Sequence, residues 1–151
     1  MCLICQRIEL IKAGQNPYFV KELETGYVVI GDYQYFKGYT LFLAKDHVTE
    51  LHHMETSVKL RFLEEMSLVQ EAVAKAFEAE KMNIELLGNG DAHAHWHLFP
   101  RRAGDMKSHG LNGRGPVWWE TIASSKRMFM LCITVKPVIN TTNILEIGLG
   151  L

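Results

Sequence analysis

The apolar positions along the chain fall into short runs, one long stripe and one alternating segment. Tyr18-Phe19-Val20-Lys21-Glu22 reads as a strand, broken by Thr25-Gly26. Tyr27-Val28-Val29-Ile30 reads as a second strand and ends at Gly31-Asp32. After a turn at Lys37-Gly38, the segment Tyr39-Thr40-Leu41-Phe42-Leu43-Ala44 reads as a third, rich in aromatic and branched residues. The period then changes. Val58, Phe62, Met66, Val69, Val73 and Phe77 step by three or four and form one stripe, which predicts a helix from a Thr56 or Ser57 cap to about Ala79. Glu64, Glu65, Glu71 and Lys75 fall largely off that stripe, so the helix should lie on the sheet. Ile84-Glu85-Leu86-Leu87 reads as a short strand, and Gly88-Asn89-Gly90-Asp91 is strong turn chemistry. His93 to Phe99 alternates and reads as a strand closed by Pro100. From Arg102 to Gly115 the composition predicts an exposed loop, ended by Pro116-Val117-Trp118-Trp119. Residues 121–151 show no period and read as a tail outside a domain of residues 1–120.

Composition narrows the class. A length of 151 residues suits one domain able to bury its own core. With 48% hydrophobic and 22% charged residues, the chain is not of the disordered type. Sixteen basic and 17 acidic residues leave a formal charge of −1, which gives no broad footprint for nucleic acid. A single nucleotide needs only a few local cations. Three cysteines, Cys2, Cys5 and Cys132, do not make a disulfide framework. The start lacks the pattern of a signal peptide, and the longest apolar run, Met128 to Val135, is too short to span a bilayer. The expectation is a cytoplasmic protein with no membrane or nucleic-acid partner.

The candidate chemistry lies in His93-Ala94-His95-Trp96-His97. Strand side chains alternate, so the three histidines project from one face and Ala94, Trp96 and Leu98 from the other. Three imidazoles side by side need polar partners, which argues for a site rather than for packing. One metal cannot easily collect all three, because i, i+2 and i+4 on a strand span ~13 Å at ~3.3 Å per residue. Nucleophilic catalysis by one imidazole with the others as orienting and proton-handling groups meets no such objection. Cys2-Leu3-Ile4-Cys5 has the spacing of a two-ligand metal clamp and needs two further ligands to close a site. The alternative is two small buried hydrophobes. Arg101 and Arg102 either attract polyphosphate or are solvated, and Trp118 and Trp119 read as packing residues.

His93-Ala94-His95-Trp96-His97-Leu98-Phe99, the Gly88-Asn89-Gly90 turn before it, Pro100-Arg101 after it, and the earlier Gly38-Tyr39-Thr40-Leu41-Phe42-Leu43-Ala44-Lys45-Asp46-His47 resemble the histidine triad superfamily over about residues 2 to 102. The resemblance implies an α+β domain with an antiparallel sheet of about five strands, one long helix and a short helix, paired as a homodimer. It implies a nucleotide hydrolase or transferase acting at the α-phosphorus of a dinucleoside polyphosphate or related conjugate. His95 would be the nucleophile, forming a nucleotidyl-histidine, and His97 the residue at the phosphate and leaving group. Asn89 and Gly90 would contact phosphate, and Asp32, one residue from the family's ribose position, is a candidate for the sugar hydroxyls. Tyr39 stands where relatives commonly carry a histidine that orients the nucleophile. Some bacterial relatives bind structural zinc at positions that correspond here to Cys2, Cys5, His47 and His93. His52 and His53 lie close enough in sequence to replace His47. The rival readings are a nucleoside phosphoramidase, a nucleotide-binding regulatory protein with little turnover, and a zinc module.

Overall fold

The computed structural model describes residues 2–105. His109, Trp118, Trp119 and the tail read from the sequence lie outside them. The chain opens with helix α1 (Leu3–Lys12), which buries Ile4, Ile8 and Ile11. These three sit at i, i+4 and i+7, the spacing of one helical face. Three strands follow: β1 (Phe19–Glu22), β2 (Gly26–Ile30) and β3 (Thr40–Ala44). The long helix α2 (Thr56–Ala76), β4 (Lys81–Leu86) and β5 (His95–Arg101) complete the order. The five strands form one antiparallel sheet in the order β1-β2-β3-β5-β4. The expected α+β class and strand number are therefore found, and α1 is the short helix.

Both faces of the sheet are covered. On one, Val28, Ile30, Phe42, Ala44, Ala94 and Leu98 pack with Phe62, Val69, Ala72 and Val73 of α2. On the other, Tyr27, Val29, Tyr39, Leu41, Leu43 and Phe99 pack with Ile4, Ile8 and Ile11 of α1. Every residue of β2 and β3 is buried, which is why these strands read as continuous apolar runs rather than alternations.

Several boundaries move. The long helix starts at Thr56 behind Glu55, which makes no side-chain cap, and stops at Ala76 rather than Ala79. Phe77 caps it and Glu78 turns away with φ of 50°. Val58 continues the stripe but lies 41% exposed, at the end of the helix beyond the core. The fourth strand begins at Lys81, three residues earlier than the apolar run. The fifth begins at His95 rather than His93 and runs through Pro100 to Arg101. Proline is tolerated there because pairing with β3 ends at Leu98, leaving β4 as the sole neighbour.

Glu65 departs most from the pattern reading. It lies 2% exposed on α2 and accepts from the backbone N–H groups of Glu24 and Thr25, both at 2.9 Å, and from the Thr25 hydroxyl. Its carboxylate thus supplies acceptors to the turn between β1 and β2, where the chain has no ladder partner.

Candidate active site

β5 carries His95 and His97 on the face shared with Phe99 and α1, as alternation predicts. Their rings are 4.5 Å apart, centroid to centroid. His95 Nδ1 lies 2.5 Å from the His93 carbonyl oxygen. A carbonyl only accepts, so Nδ1 carries the proton and Nε2 keeps its lone pair. That is the tautomer a nucleophilic imidazole needs at Nε2.

His97 Nδ1 lies 2.6 Å from the Tyr39 hydroxyl. Burial holds the phenol well above its ordinary range, so it stays a neutral O–H. Burial, and next the proximity of His95, push His97 down to about 3, so its ring is neutral at pH 7. A phenol donates more readily than it accepts. Donation to Nδ1 places the His97 proton on Nε2 and makes that nitrogen a donor. The Tyr39 ring is parallel to Phe99 at 4.5 Å and to His97 at 6.0 Å.

The loop from 31 to 39 is built to hold this ring. A Cβ on Gly31 would fall 2.3 Å from the Tyr39 ring. Gly38 has φ of 92°, and a Cβ there would meet the Phe77 ring at 2.4 Å. Gln34, 1% exposed, donates to the carbonyls of Gly31 and Tyr39 and accepts from the Gly38 N–H. Sequence reasoning passed over Gln34. A single amide in a polar loop carries no period, and its three partners are defined only by the folded loop.

His95 and His97 line an open cleft of about 370 Å³ with Leu87, Asn89, Gly90 and Asp91. The turn residues expected at phosphate therefore face the two histidines. Asp91 ties this turn to α1 by accepting the Leu3 N–H at 3.0 Å. Asp32 stands outside that lining, and its carboxylate is engaged by the Arg7 guanidinium. Arg101 is 2% exposed, holds Asp105 and Asn83, and stacks over Phe36. It fastens the end of β5 rather than reaching for polyphosphate.

The third histidine has a separate role. His93 lies two residues before β5, outside the segment that pairs as strand, and its ring reaches toward α1. Cys2 Sγ, Cys5 Sγ, His47 Nδ1 and His93 Nδ1 all lie within 4.8 Å of one another. Around His93 Nδ1 stand Cys2 Sγ at 3.6 Å, Cys5 Sγ at 3.5 Å and His47 Nδ1 at 3.2 Å, and Cys5 Sγ is 3.3 Å from His47 Nδ1. One ring nitrogen offers one proton or one lone pair and cannot satisfy three such neighbours. A tetrahedral ion bonded at ~2.3 Å to sulfur and ~2.0–2.1 Å to nitrogen sets its ligand atoms about 3.3–3.8 Å apart. The contacts around His93 fall on that scale, so the group can hold a metal ion. His93 Nε2 donates to the Ala44 carbonyl at 2.9 Å, which leaves Nδ1 as the ligating atom. Burial lowers the pKa of His93 and so favours the neutral, ligating ring. Burial and the adjacent Cys2 raise the Cys5 thiol, an effect a bound cation reverses. His53 bonds Thr49 instead, and neither His52 nor His53 joins the group.

Among the described residues no helix is long and apolar enough to cross a membrane. No curated protein matches the chain. Among solved structures, a hypothetical histidine triad nucleotide-binding protein from Sulfolobus tokodaii superposes with a TM-score of 0.62 at 19% identity, over 94% of this chain and 93% of that one. A member of the HIT family of proteins from Bacillus subtilis gives 0.61 at 22% identity, over 92% and 96%. A histidine triad protein from Marinobacter aquaeolei gives 0.60 at 19% identity, over 86% and 90%. These likenesses concern the fold. The model of the HIT domain matches residues 20–104, more than half of the sequence, and the chain belongs to the HIT domain family.

Proposed function

We propose that this protein is a nucleotidyl hydrolase in which His95 Nε2 attacks the α-phosphorus of a dinucleoside polyphosphate. The observation that carries the reading is the His95 Nδ1 contact with the His93 carbonyl, which leaves an Nε2 lone pair beside the cleft. In the first step the Nε2–phosphorus bond forms and the bridging phosphorus–oxygen bond breaks, its electron pair leaving with the polyphosphate. In the second, water attacks phosphorus and releases a proton to solvent, the phosphorus–nitrogen bond breaks with its electron pair returning to Nε2, and nucleoside monophosphate departs. His97 donates from Nε2 to a phosphoryl oxygen, and the Gly88–Gly90 turn offers backbone N–H groups to the others.

The neutral state of His97 bears on the leaving group. An imidazole held down to about 3 is a hydrogen-bond donor and a poor source of a full proton near pH 7. A polyphosphate leaves as an anion and needs no proton, whereas the amine of a phosphoramidate does. This favours the anhydride substrate over the phosphoramidate. The donor group of Cys2, Cys5, His47 and His93 suits zinc in its two thiolates, two imidazoles and spacing. When bound, that ion would supply structural cross-linking between α1 and the segment before β5.

The test follows AMP release from diadenosine tetraphosphate and from adenosine phosphoramidate. The expected result is faster turnover of the anhydride, abolished by His95→Ala, with the AMP adduct on His95 trapped by mass spectrometry. Tight AMP binding with no turnover of either substrate would instead make the protein a nucleotide-binding module.

A further inference from the structure

Tyr39 stands one residue before β3. Pairing of β3 with β2 ends at Thr40 opposite Ile30, and pairing with β5 ends at Thr40 opposite Leu98. One side chain in the loop before it touches the peptides on both sides of it. Gln34 Nε2 donates to the Tyr39 carbonyl at 2.7 Å and to the Gly31 carbonyl at 2.9 Å, and Gln34 Oε1 accepts from the Gly38 N–H at 2.8 Å. Two carbonyls need two donors and one N–H needs an acceptor, a set that a primary amide meets in one plane. Gln34 is 1% exposed, so bulk water does not compete for these bonds. The Gly31 N–H donates to the same Tyr39 carbonyl at 2.9 Å, and the Tyr39 N–H donates to the Phe36 carbonyl at 2.9 Å. From this frame the ring enters the space that Gly31 leaves open, parallel to Phe99 at 4.5 Å, with its hydroxyl 2.6 Å from His97 Nδ1.

We propose that Gln34 is a positioning residue: its amide fixes the backbone of Tyr39 and so sets the tyrosine hydroxyl against His97. The inference rests on His97 acting at the phosphate in the reaction proposed above. The hydroxyl lies at the far end of a rigid ring, so a tilt at the backbone is magnified there. A shift of ~1 Å takes an O–H···N contact of this length out of hydrogen-bond range. Stacking fixes the plane of a ring more tightly than its position within that plane. The amide supplies the restraint along the plane. Glutamate in its place keeps the shape and an acceptor for the Gly38 N–H, but turns a carboxylate oxygen toward two carbonyl oxygens.

The test compares wild type, Gln34→Glu, Tyr39→Phe and the double variant, as full chains whose fold is checked by circular dichroism. Three quantities are read: kcat and KM for diadenosine tetraphosphate, Tm, and the 15N shift of His97 Nδ1. Tyr39→Phe marks the position of that resonance without the hydroxyl. Gln34→Glu is expected to lower kcat by about threefold or more with KM moved less than about twofold, and to carry the His97 Nδ1 resonance toward its Tyr39→Phe position. In the Tyr39→Phe background the same change is expected to leave kcat within about 1.5-fold, while Tm falls by ~3 °C or more in both backgrounds. Equal kcat losses in the two backgrounds, an unchanged kcat in Gln34→Glu, or a His97 Nδ1 resonance that stays at its wild-type position would each overturn the proposal and leave Gln34 a support of the fold. Should Gln34→Glu not fold, Gln34→Asn, which carries the amide on a stem one carbon shorter, is read by the same criteria. A wild type that turns over no dinucleoside polyphosphate would sink the hydrolase reading instead, and the nitrogen shift would still decide whether Gln34 places the hydroxyl.

Discussion

Replacing Tyr39 with phenylalanine removes one oxygen from the site and little else. The ring keeps its parallel contact with Phe99 at 4.5 Å, and the space left by Gly31 still receives it. What is lost is the buried hydrogen bond to His97 Nδ1 at 2.6 Å. A bond of this kind contributes about 1 kcal/mol net to stability, which for a domain of this size lowers Tm by ~3 °C. Its kinetic weight is larger if it selects the His97 tautomer. A preference of ~1–2 kcal/mol for the proton on Nε2, once removed, lowers kcat about 5- to 30-fold. KM should move little, because the donor acts on developing charge more than on ground-state binding. The assay is steady-state hydrolysis of diadenosine tetraphosphate by Tyr39→Phe, with a thermal melt of the same sample. Tyr39→His, which can again donate to Nδ1, is expected to recover part of kcat. The reasoning is refuted if Tyr39→Phe loses Tm but keeps kcat within twofold, because the hydroxyl would then be a packing and hydrogen-bond element only.

Two further outcomes follow from the buried polar groups. Glu65→Ala strips acceptors from the Glu24 and Thr25 N–H groups, and each orphaned donor costs ~1–3 kcal/mol. A fall of about 3 kcal/mol in urea unfolding is expected; a fall below 1 would show that water replaces the carboxylate. His97 stands at about 3 in the folded protein against 6.5 when unfolded. Between those values the unfolded chain binds a proton that the folded chain does not, so stability from this group is full above 6.5 and declines as pH falls toward 3. At ~1.4 kcal/mol per pH unit, the decline at pH 4.5 is ~3 kcal/mol. Urea midpoints of wild type and His97→Asn at pH 7 and 4.5 check it, and equal losses in the two proteins would count against a neutral His97.

The strands and the long helix were legible because each buries a face with its own period. Val28 and Phe42 lie in continuous apolar runs, and Phe62, Val69 and Val73 mark a single stripe. The ends were less legible. Pro100 continues β5 because the strand has lost one neighbour there, a fact of pairing that no single segment carries. Helix α1 did leave a signal in Ile4, Ile8 and Ile11, overshadowed in the reading by the cysteines between and before them.

The sequence alone determined the parity of the triad. A residue spacing of two puts His95 and His97 on one face and Ala94 and Leu98 in the core on the other, whatever the rest of the chain does. It also placed two thiols within reach of one ion. Tertiary structure decided how the histidines divide their work. The ring of His93 meets Cys2, Cys5 and His47 because α1 folds across the sheet, bringing together residues up to 91 positions apart. Tyr39 reaches His97 across 58 positions because β3 and β5 are neighbours with a particular register. Hydrogen-bond partners and desolvation are properties of assembled surroundings. The protonation and tautomer of each imidazole, and hence its chemistry, are therefore set only when the sheet closes against its helices.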